Sequence, residues 1–459
     1  MPKVSDSYVS RAMAREELGQ AQEAGGEDPS PAWRAALDDL AQAISIDAVH
    51  ADPYVEQGNT LALLAGRDED PRAGIAKAIA RYDEAVRRNP SSDDAWYERG
   101  RVRLELAHAV DQHGGDPLPD CRAALVDVEK AAALRPTHTV APCAVGWAHL
   151  EIARYLVAGG KDPAEELRRA IAAYGEVVAR APACSDALYG RATGRLRLGK
   201  LEADEGSDPR GEFRGAAEDY DAVLALWPRD LGSASNGALA WMWLGNAQEA
   251  LGEAPAAAYG KALATCDTAL RIDPNRWETH LTKGGLLDLM GRAAEGVSCL
   301  EEALRLTPGN STVQQALAEA KAKLAPPPEW MKRITEGTKA IDSGDYVSAR
   351  KALEEGIATG GEAAEADRLP SRRTALVYAN YDLACVYALL SIGKESPTAA
   401  AHAVAPEEVA RLRDAAFAHL KKAVDLGWAD AEATAKDADL ATLRDDAKWK
   451  TLIERMGGK

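Results

Sequence analysis

GGKDPAEELRRAIAAYGEVVARAP, residues 159–182, carries two punctuation marks that recur along the chain. Its Asp162-Pro163 pair has counterparts at Asp28-Pro29, Asp70-Pro71, Asp116-Pro117 and Asp208-Pro209, followed by a degenerate Ala254-Pro255. The steps between them are 42, 46, 46, 46 and 46 residues. Its final residue, Pro182, belongs to a second series: Pro90, Pro136, Pro182, Pro228, Pro274 and Pro308. Twelve residues before each of these stands a small residue: Ala78, Ala124, Ala170, Ala216, Ala262 and Gly296. Eight before are Tyr82, Val128, Tyr174, Tyr220, Cys266 and Leu300, and five before are Ala85, Ala131, Val177, Val223, Ala269 and Ala303. Offsets of four and three place small, large and small side chains on one stripe of a helix, which the proline then ends.

Ten residues after these prolines another small residue returns, as Gly100, Gly146, Ala192, Ala238 and Gly284. It falls in the next helix, where a small side chain lets two backbones approach, with Trp96 and Tyr82 packed nearby as core residues. Each repeat is therefore a pair of antiparallel helices, A and B, neither of which buries its apolar face alone. The segments EAGGEDPSP, AGRDEDPRAG, QHGGDPLPD, AGGKDPAEE and DEGSDPRGE lie between A and B. Gly ends helix A, Asp caps helix B, and Pro starts it with φ already set. Recurring caps specify a recurring turn rather than a loop, so both helices are expected to run about a turn and a half longer than in a 34-residue repeat.

Composition agrees with close-packed helices. Of 459 residues only 2 are Phe, 46% are apolar and 28% are charged. The formal charge of −17 argues against general nucleic-acid binding and against an anionic membrane surface. The N-terminal stretch has no apolar signal-like run, and no apolar segment approaches the ~20 residues that span a bilayer. Six cysteines without a C-x-x-C pair suit free thiols, so a cytoplasmic location is expected.

The pattern resembles the tetratricopeptide repeat. WETHLTKGGLLDLMGRAAEGVSCLEEALRLTPGN, residues 277–310, has the family's 34-residue length, with Gly284, Gly291, Gly296, Leu300, Ala303 and Pro308 at family positions. DDAWYERGRVRLELA carries the helix A signature through Trp96 and Gly100. The departure is the 46-residue repeat, whose extra 12 residues fall between A and B. The resemblance implies an all-α, right-handed superhelical solenoid.

Seven pairs are expected to begin near residues 5, 51, 93, 139, 185, 231 and 277, followed by a capping helix over 311–326. These make an N-terminal array, 1–326, separated by APPPEW from a C-terminal array, 327–459. The latter has a unit at 330–360, marked by Gly337, Gly344, Tyr346 and Ala349, and a divergent pair at about 377–427. Its long insert, 391–414, reads as an added turn or a mobile loop. The tail, through DADLATLRDDAKW (437–449), is similar to segments that close bacterial tetratricopeptide arrays, some of them in kinase-linked regulators. No Gly-rich loop, H-R-D or D-F-G of a kinase is present.

Catalytic patterns are missing too. AGGKDP lacks phosphate-loop spacing, and the 8 His form neither H-E-x-x-H nor a His-Cys cluster. His149 reads as a packing or groove residue, and Cys266 and Cys299 as small hydrophobes. No metal and no cofactor are expected, and the chain is read as a non-enzyme. In the family the concave groove is lined mainly by helix A. The positions a turn either side of the small residue are Val55 and Asn59, Tyr97 and Arg101, Cys143 and Trp147, and Tyr189 and Thr193. Asn59, Tyr97, Arg101, Trp147, Tyr189 and Thr193 are the candidate partner-binding set, aromatic and Arg side chains being frequent hot spots. The alternative is that they pack between helices. The trios Arg99/Arg101/Arg103 and Arg191/Arg195/Arg197 either hold an anionic peptide group or pair with carboxylates on a solvated face. A chaperone-tail clamp is not expected, because Val55 and Glu98 replace its Lys and Asn. The function implied is a scaffold or adaptor for a partner polypeptide, with a kinase-linked regulatory module or a self-assembling array as alternatives.

Overall fold

The computed structural model describes residues 2–324, 328–366, 370–398 and 401–457; the Pro-rich joint expected at 325–329 lies partly outside them. Among the described residues every regular element is helical. Seven antiparallel pairs come first: α1 (Pro2–Ala24) with α2 (Ser30–Ile46), α3 (Asp52–Ala65) with α4 (Arg72–Arg88), α5 (Asp93–Gln112) with α6 (Leu118–Leu134), α7 (Val140–Ala158) with α8 (Ala164–Arg180), α9 (Ser185–Asp204) with α10 (Arg210–Leu226), α11 (Leu231–Ala250) with α12 (Ala256–Ile272), and α13 (Trp277–Leu289) with α14 (Ala293–Leu306). α15 (Ser311–Leu324) follows. The chain divides into two compact units, 1–317 and 318–459, so α15 straddles the division that the sequence reading put at 326/327. The first unit is an all-α solenoid.

The stripes are its core. Tyr82, Val128, Tyr220, Cys266 and Leu300 are all but inaccessible, as are the small residues on either side of them. A Cβ added at Gly100 would lie 2.7 Å from Val128 and 3.1 Å from the Ala124 carbonyl oxygen, and one at Gly284 would lie 2.7 Å from Leu300. The recurring small residue is thus the site of helix A against helix B contact.

The inner turn also forms as its chemistry dictates. Gly160 adopts φ 67°, and the N–H of Lys161 returns to the Leu156 carbonyl at 2.8 Å, which closes helix A. Asp162 Oδ1 then accepts the N–H of Ala164 at 2.8 Å, and the same bond is made by Asp28, Asp70, Asp116 and Asp208 at 3.0–3.2 Å. The elongation is uneven, however. Helices α5, α7, α9 and α11 have 19 or 20 residues against 13 in α13. Their B partners have 17 against 14 in α14. Helix A therefore takes about two extra turns and helix B less than one, not a turn and a half each. The exception is α3, of 14 residues, whose Gly66 keeps φ at −61° and lacks the left-handed stop.

Alternate pairs share a second device. Asp127, inside α6, is almost fully buried and is gripped by Arg99 (Nη2 2.6 Å) and Arg103 (Nη1 2.7 Å) of α5. Asp219 is held likewise by Arg191 (2.6 Å) and Arg195 (2.9 Å), and Asp39 by Arg11 and Arg15. Arg11 is half-exposed, but the other five are largely covered and turned onto the buried carboxylate rather than forming a solvated face.

The second unit holds α16 (Glu329–Asp342), α17 (Tyr346–Ala366), α18 (Pro370–Leu390) and α19 (Pro406–Leu426). α20 (Ala431–Lys436), a 3₁₀ turn (Ala438–Leu443) and α21 (Ala447–Gly457) end it. Within the insert, Glu395 accepts the N–H of Tyr346 at 3.1 Å, so its described part folds back on the α16–α17 turn. Asp437 accepts the Tyr381 hydroxyl at 2.7 Å, and Leu440 and Leu443 are wholly buried, which seats the tail on α18 and α19.

Candidate functional site

Helix A residues spaced three and four apart continue the expected stripe beyond its first turns. The stripe runs Tyr97, Arg101, Glu105 and His108 on α5, and Cys143, Trp147, Glu151 and Arg154 on α7. On α9 it runs Tyr189, Thr193, Arg197 and Lys200. Three cavities open along it. The first, of about 610 Å³, is lined by Glu16, Asn59, Arg67, Glu98, Arg101 and Glu105 among others. The second, of about 560 Å³, is walled by Ile75, Leu104, His108, Trp147, Glu151 and Arg154. The third, of about 420 Å³, has a floor of Ala153, Val157, Pro163, Leu167 and Leu201, with Arg154, Arg197 and Lys200 at its rim beside Asp204.

The second cavity exists because of the unequal helices. α3 stops at Ala65, and Gly66 and Pro71 of its turn line the opening, while α5 and α7 run on past it. The long helices are left without an equally long neighbour on that side. Trp147 lies on this wall with 39% of its surface exposed.

The other expected residues divide by what they touch. Asn59 accepts the Tyr82 hydroxyl at 2.7 Å and donates to Glu56, so it braces helix A against helix B. Arg101 lies between Glu98 (2.8 Å) and Glu105, on the wall of the first cavity. Tyr97 is half-buried on the core between α5 and α7. The Tyr189 ring meets Tyr220 edge-on at 5.5 Å, and its hydroxyl accepts from Asn236 at 3.1 Å. Thr193 is 3.0 Å from the Tyr220 hydroxyl. Val55 is buried core. Tyr97, Tyr189 and Thr193 line none of the three cavities. His149 is buried, 2.6 Å from Glu166, a packing residue.

Arg154, Arg197 and Lys200 as a group were not picked out from the sequence, although counting two more turns along each helix A would have found them.

The electrostatics change along the stripe. Burial lifts the Glu16 carboxyl to about 7, against the hydrogen bond from Thr60 and with help from Glu56. Burial raises Glu56 as well. At the third cavity the field reverses: the Lys200 ammonium is depressed first by burial and then by Arg197. Arg154 is paired with Glu151 at 2.7 Å, whereas Arg197 and Lys200 have no carboxylate within ion-pair distance among the described residues. Among those residues no three His, Cys, Asp or Glu side chains gather as metal ligands, and no helix is long and apolar enough to cross a membrane.

The tetratricopeptide repeat family model matches residues 61–107 and 210–277. With the pair geometry above, this identifies the matched segments as tetratricopeptide repeats. No protein of curated function matches it. Solved structures resembling it include TTC0263, a protein of Thermus thermophilus, at 20% identity over 49% of this chain and 99% of that one, TM-score 0.31. Another is PilF of Pseudomonas aeruginosa, at 15% identity over 59% and 97%, TM-score 0.37. A third is YrrB, described as having an unusual peptide-binding site, at 14% identity over 51% and 96%, TM-score 0.33. At such scores they assign nothing to this chain.

Proposed function

We propose that this protein is a non-catalytic scaffold that holds a partner polypeptide along the A-helix layer of its first unit. Tetratricopeptide repeat proteins are in general protein-interaction scaffolds. The observation that carries the reading here is the exposed indole of Trp147 beside an apolar-walled cavity of about 560 Å³. A large aromatic half-open to water, rimmed by Glu, His, Gln and Arg, has the composition of an anchor pocket in an interface. Tyr97 and Tyr189 then act as supports that fix the spacing of successive A helices rather than as contacts, and Arg101 keeps the first cavity polar.

The test is a photocrosslinking amino acid placed at Trp147 and, as a control, at Trp227, which is 62% exposed at an inter-pair turn. Expressed in the native cell, the first should trap a polypeptide that the second does not. Equal adducts from both positions, or none from position 147, would refute groove binding.

A further inference from the structure

The first unit's stripe is not uniformly polar: among the described residues Arg197 and Lys200, with Asp204 nearby but no carboxylate at ion-pair distance, sit beside an apolar lining. Arg197 and Lys200 lie one turn apart on α9, facing Arg154 across the third cavity. In a chain with 72 acidic and 55 basic side chains, these two cations are set apart by the apolar cavity they border. The Arg197 guanidinium reaches the Leu150 carbonyl, at 3.4 Å, and Lys200 lies 5.6 Å from the Trp243 ring. Both side chains are exposed at the surface, where a carboxylate can approach them and form charge-assisted hydrogen bonds.

We propose, building on the groove reading above, that this end of the stripe recognises an acidic peptide segment. An apolar side chain enters the cavity beside Trp147, and a neighbouring carboxylate is held by Arg197 and Lys200. The floor of Ala153, Val157, Pro163, Leu167 and Leu201 favours a carboxylate carried on methylenes over a small hydrated anion, which would leave that surface uncovered. Arg154 lines both cavities, so one chain passes from one to the other without leaving the surface. Packed helices stand about 8–10 Å apart and an extended chain advances about 3.3 Å per residue, so the apolar and acidic residues are about three positions apart. At the opposite end, Glu23, Glu98 and Glu105 outnumber the cations Arg67 and Arg101 and repel an acidic stretch there. This field sets the direction in which the segment lies.

The experiment pans a displayed library of random 12-residue peptides against wild type, Trp147→Ala and Arg197→Glu/Lys200→Glu, after circular dichroism shows all three folded. Wild type should enrich peptides with an apolar residue about three positions from Glu or Asp. The charge-reversed protein should enrich Lys or Arg at that place, and Trp147→Ala should lose the enrichment. In a synthetic peptide of the enriched sequence, changing the acid to its amide should weaken binding about tenfold, a difference of about 1.4 kcal/mol. Trp147-dependent peptides without an acidic position, or unchanged by charge reversal, overturn the acidic reading and leave the groove standing. No Trp147-dependent enrichment overturns both. Should the charge-reversed protein not fold, Arg197→Gln/Lys200→Gln takes its place and should lose the acidic preference.

Discussion

The pair 277–310 and the pair 139–182 are built on the same contact and differ in length. Both set a glycine of helix A against a large side chain of helix B, Gly284 on Leu300 and Gly146 on Tyr174. In the shorter pair the chain turns after 13 residues of helix A; in the longer it continues for 19. Helix A takes twice as much of the difference as helix B, 19 against 13 residues and 17 against 14, because its stop is a left-handed glycine that can be placed at any distance along the helix. Helix B, by contrast, is bounded by an Asp-Pro cap at one end and an inter-pair proline at the other. The added turns carry Arg154 on α7 and Lys200 on α9, just beyond Glu151 and Arg197 at the last positions shared with the short pair, and these residues line the second and third cavities. Lengthening one helix of a repeat thus enlarges the surface available to a partner without altering the core contact.

The comparison breaks most severely at the buried carboxylates. Asp127→Ala strands Arg99 and Arg103 and should cost about 3–5 kcal/mol in denaturant unfolding. Cys299→Ala, at the matching place of the short pair, should cost about 1 kcal/mol or less.

Glu16, opposite the short α3, gives a pH signature. Its folded-state pKa of about 7 lies above its ordinary value of 4.5, so the folded state holds its proton longer than the unfolded. Its effect on stability is therefore absent below about pH 4.5 and grows unfavourable as pH rises to about 7. Glu16→Gln keeps an acceptor for Thr60 and should stabilise the protein at pH 8 by about 1–3 kcal/mol, with little effect at pH 4. Thermal melts at the two pH values test this.

Replacing Asp162 and Pro163 by Gly-Gly removes a cap and frees the chain, with an expected cost of about 1–2 kcal/mol. Ala254→Asp supplies the cap missing from α12 and should add about 0.5–1 kcal/mol. At the exposed turn of α10, Arg210 holds Asp208 at about 2, first through the side-chain hydrogen bond. Its stabilising effect is complete above about pH 4 and lost as pH falls through 2, so Asp208→Asn should flatten that part of the acid titration.

Much of the fold was legible because its determinants are local and repeated. Tyr82, Tyr174 and Tyr220 recur at fixed distances from a proline, and Asp162 announces its cap two residues ahead. The buried clamps were half visible. Arg191 and Arg195 stand 92 residues after Arg99 and Arg103, and Asp219 stands 92 after Asp127. Reading the arginines without the aspartates made a surface feature of them. Of the expected binding residues, Trp147, Arg101 and Asn59 line cavities, but Asn59, like Thr193, is engaged by a tyrosine hydroxyl of helix B. Register tells which face a residue shares, but not whether a partner from the next helix already occupies it. The cavities were out of reach for a different reason: they depend on α3 stopping early while α5 and α7 continue, a relation between helices that no single repeat contains.

Hydrogen–deuterium exchange, resolved by peptide mass, tests the central claim that the added residues are helix rather than loop. The account predicts that residues 104–112, 150–158 and 196–204 are protected like the earlier turns of their helices. Exchange in those segments as fast as at the inner turns themselves would contradict it, and the cavity walls would be lost with it.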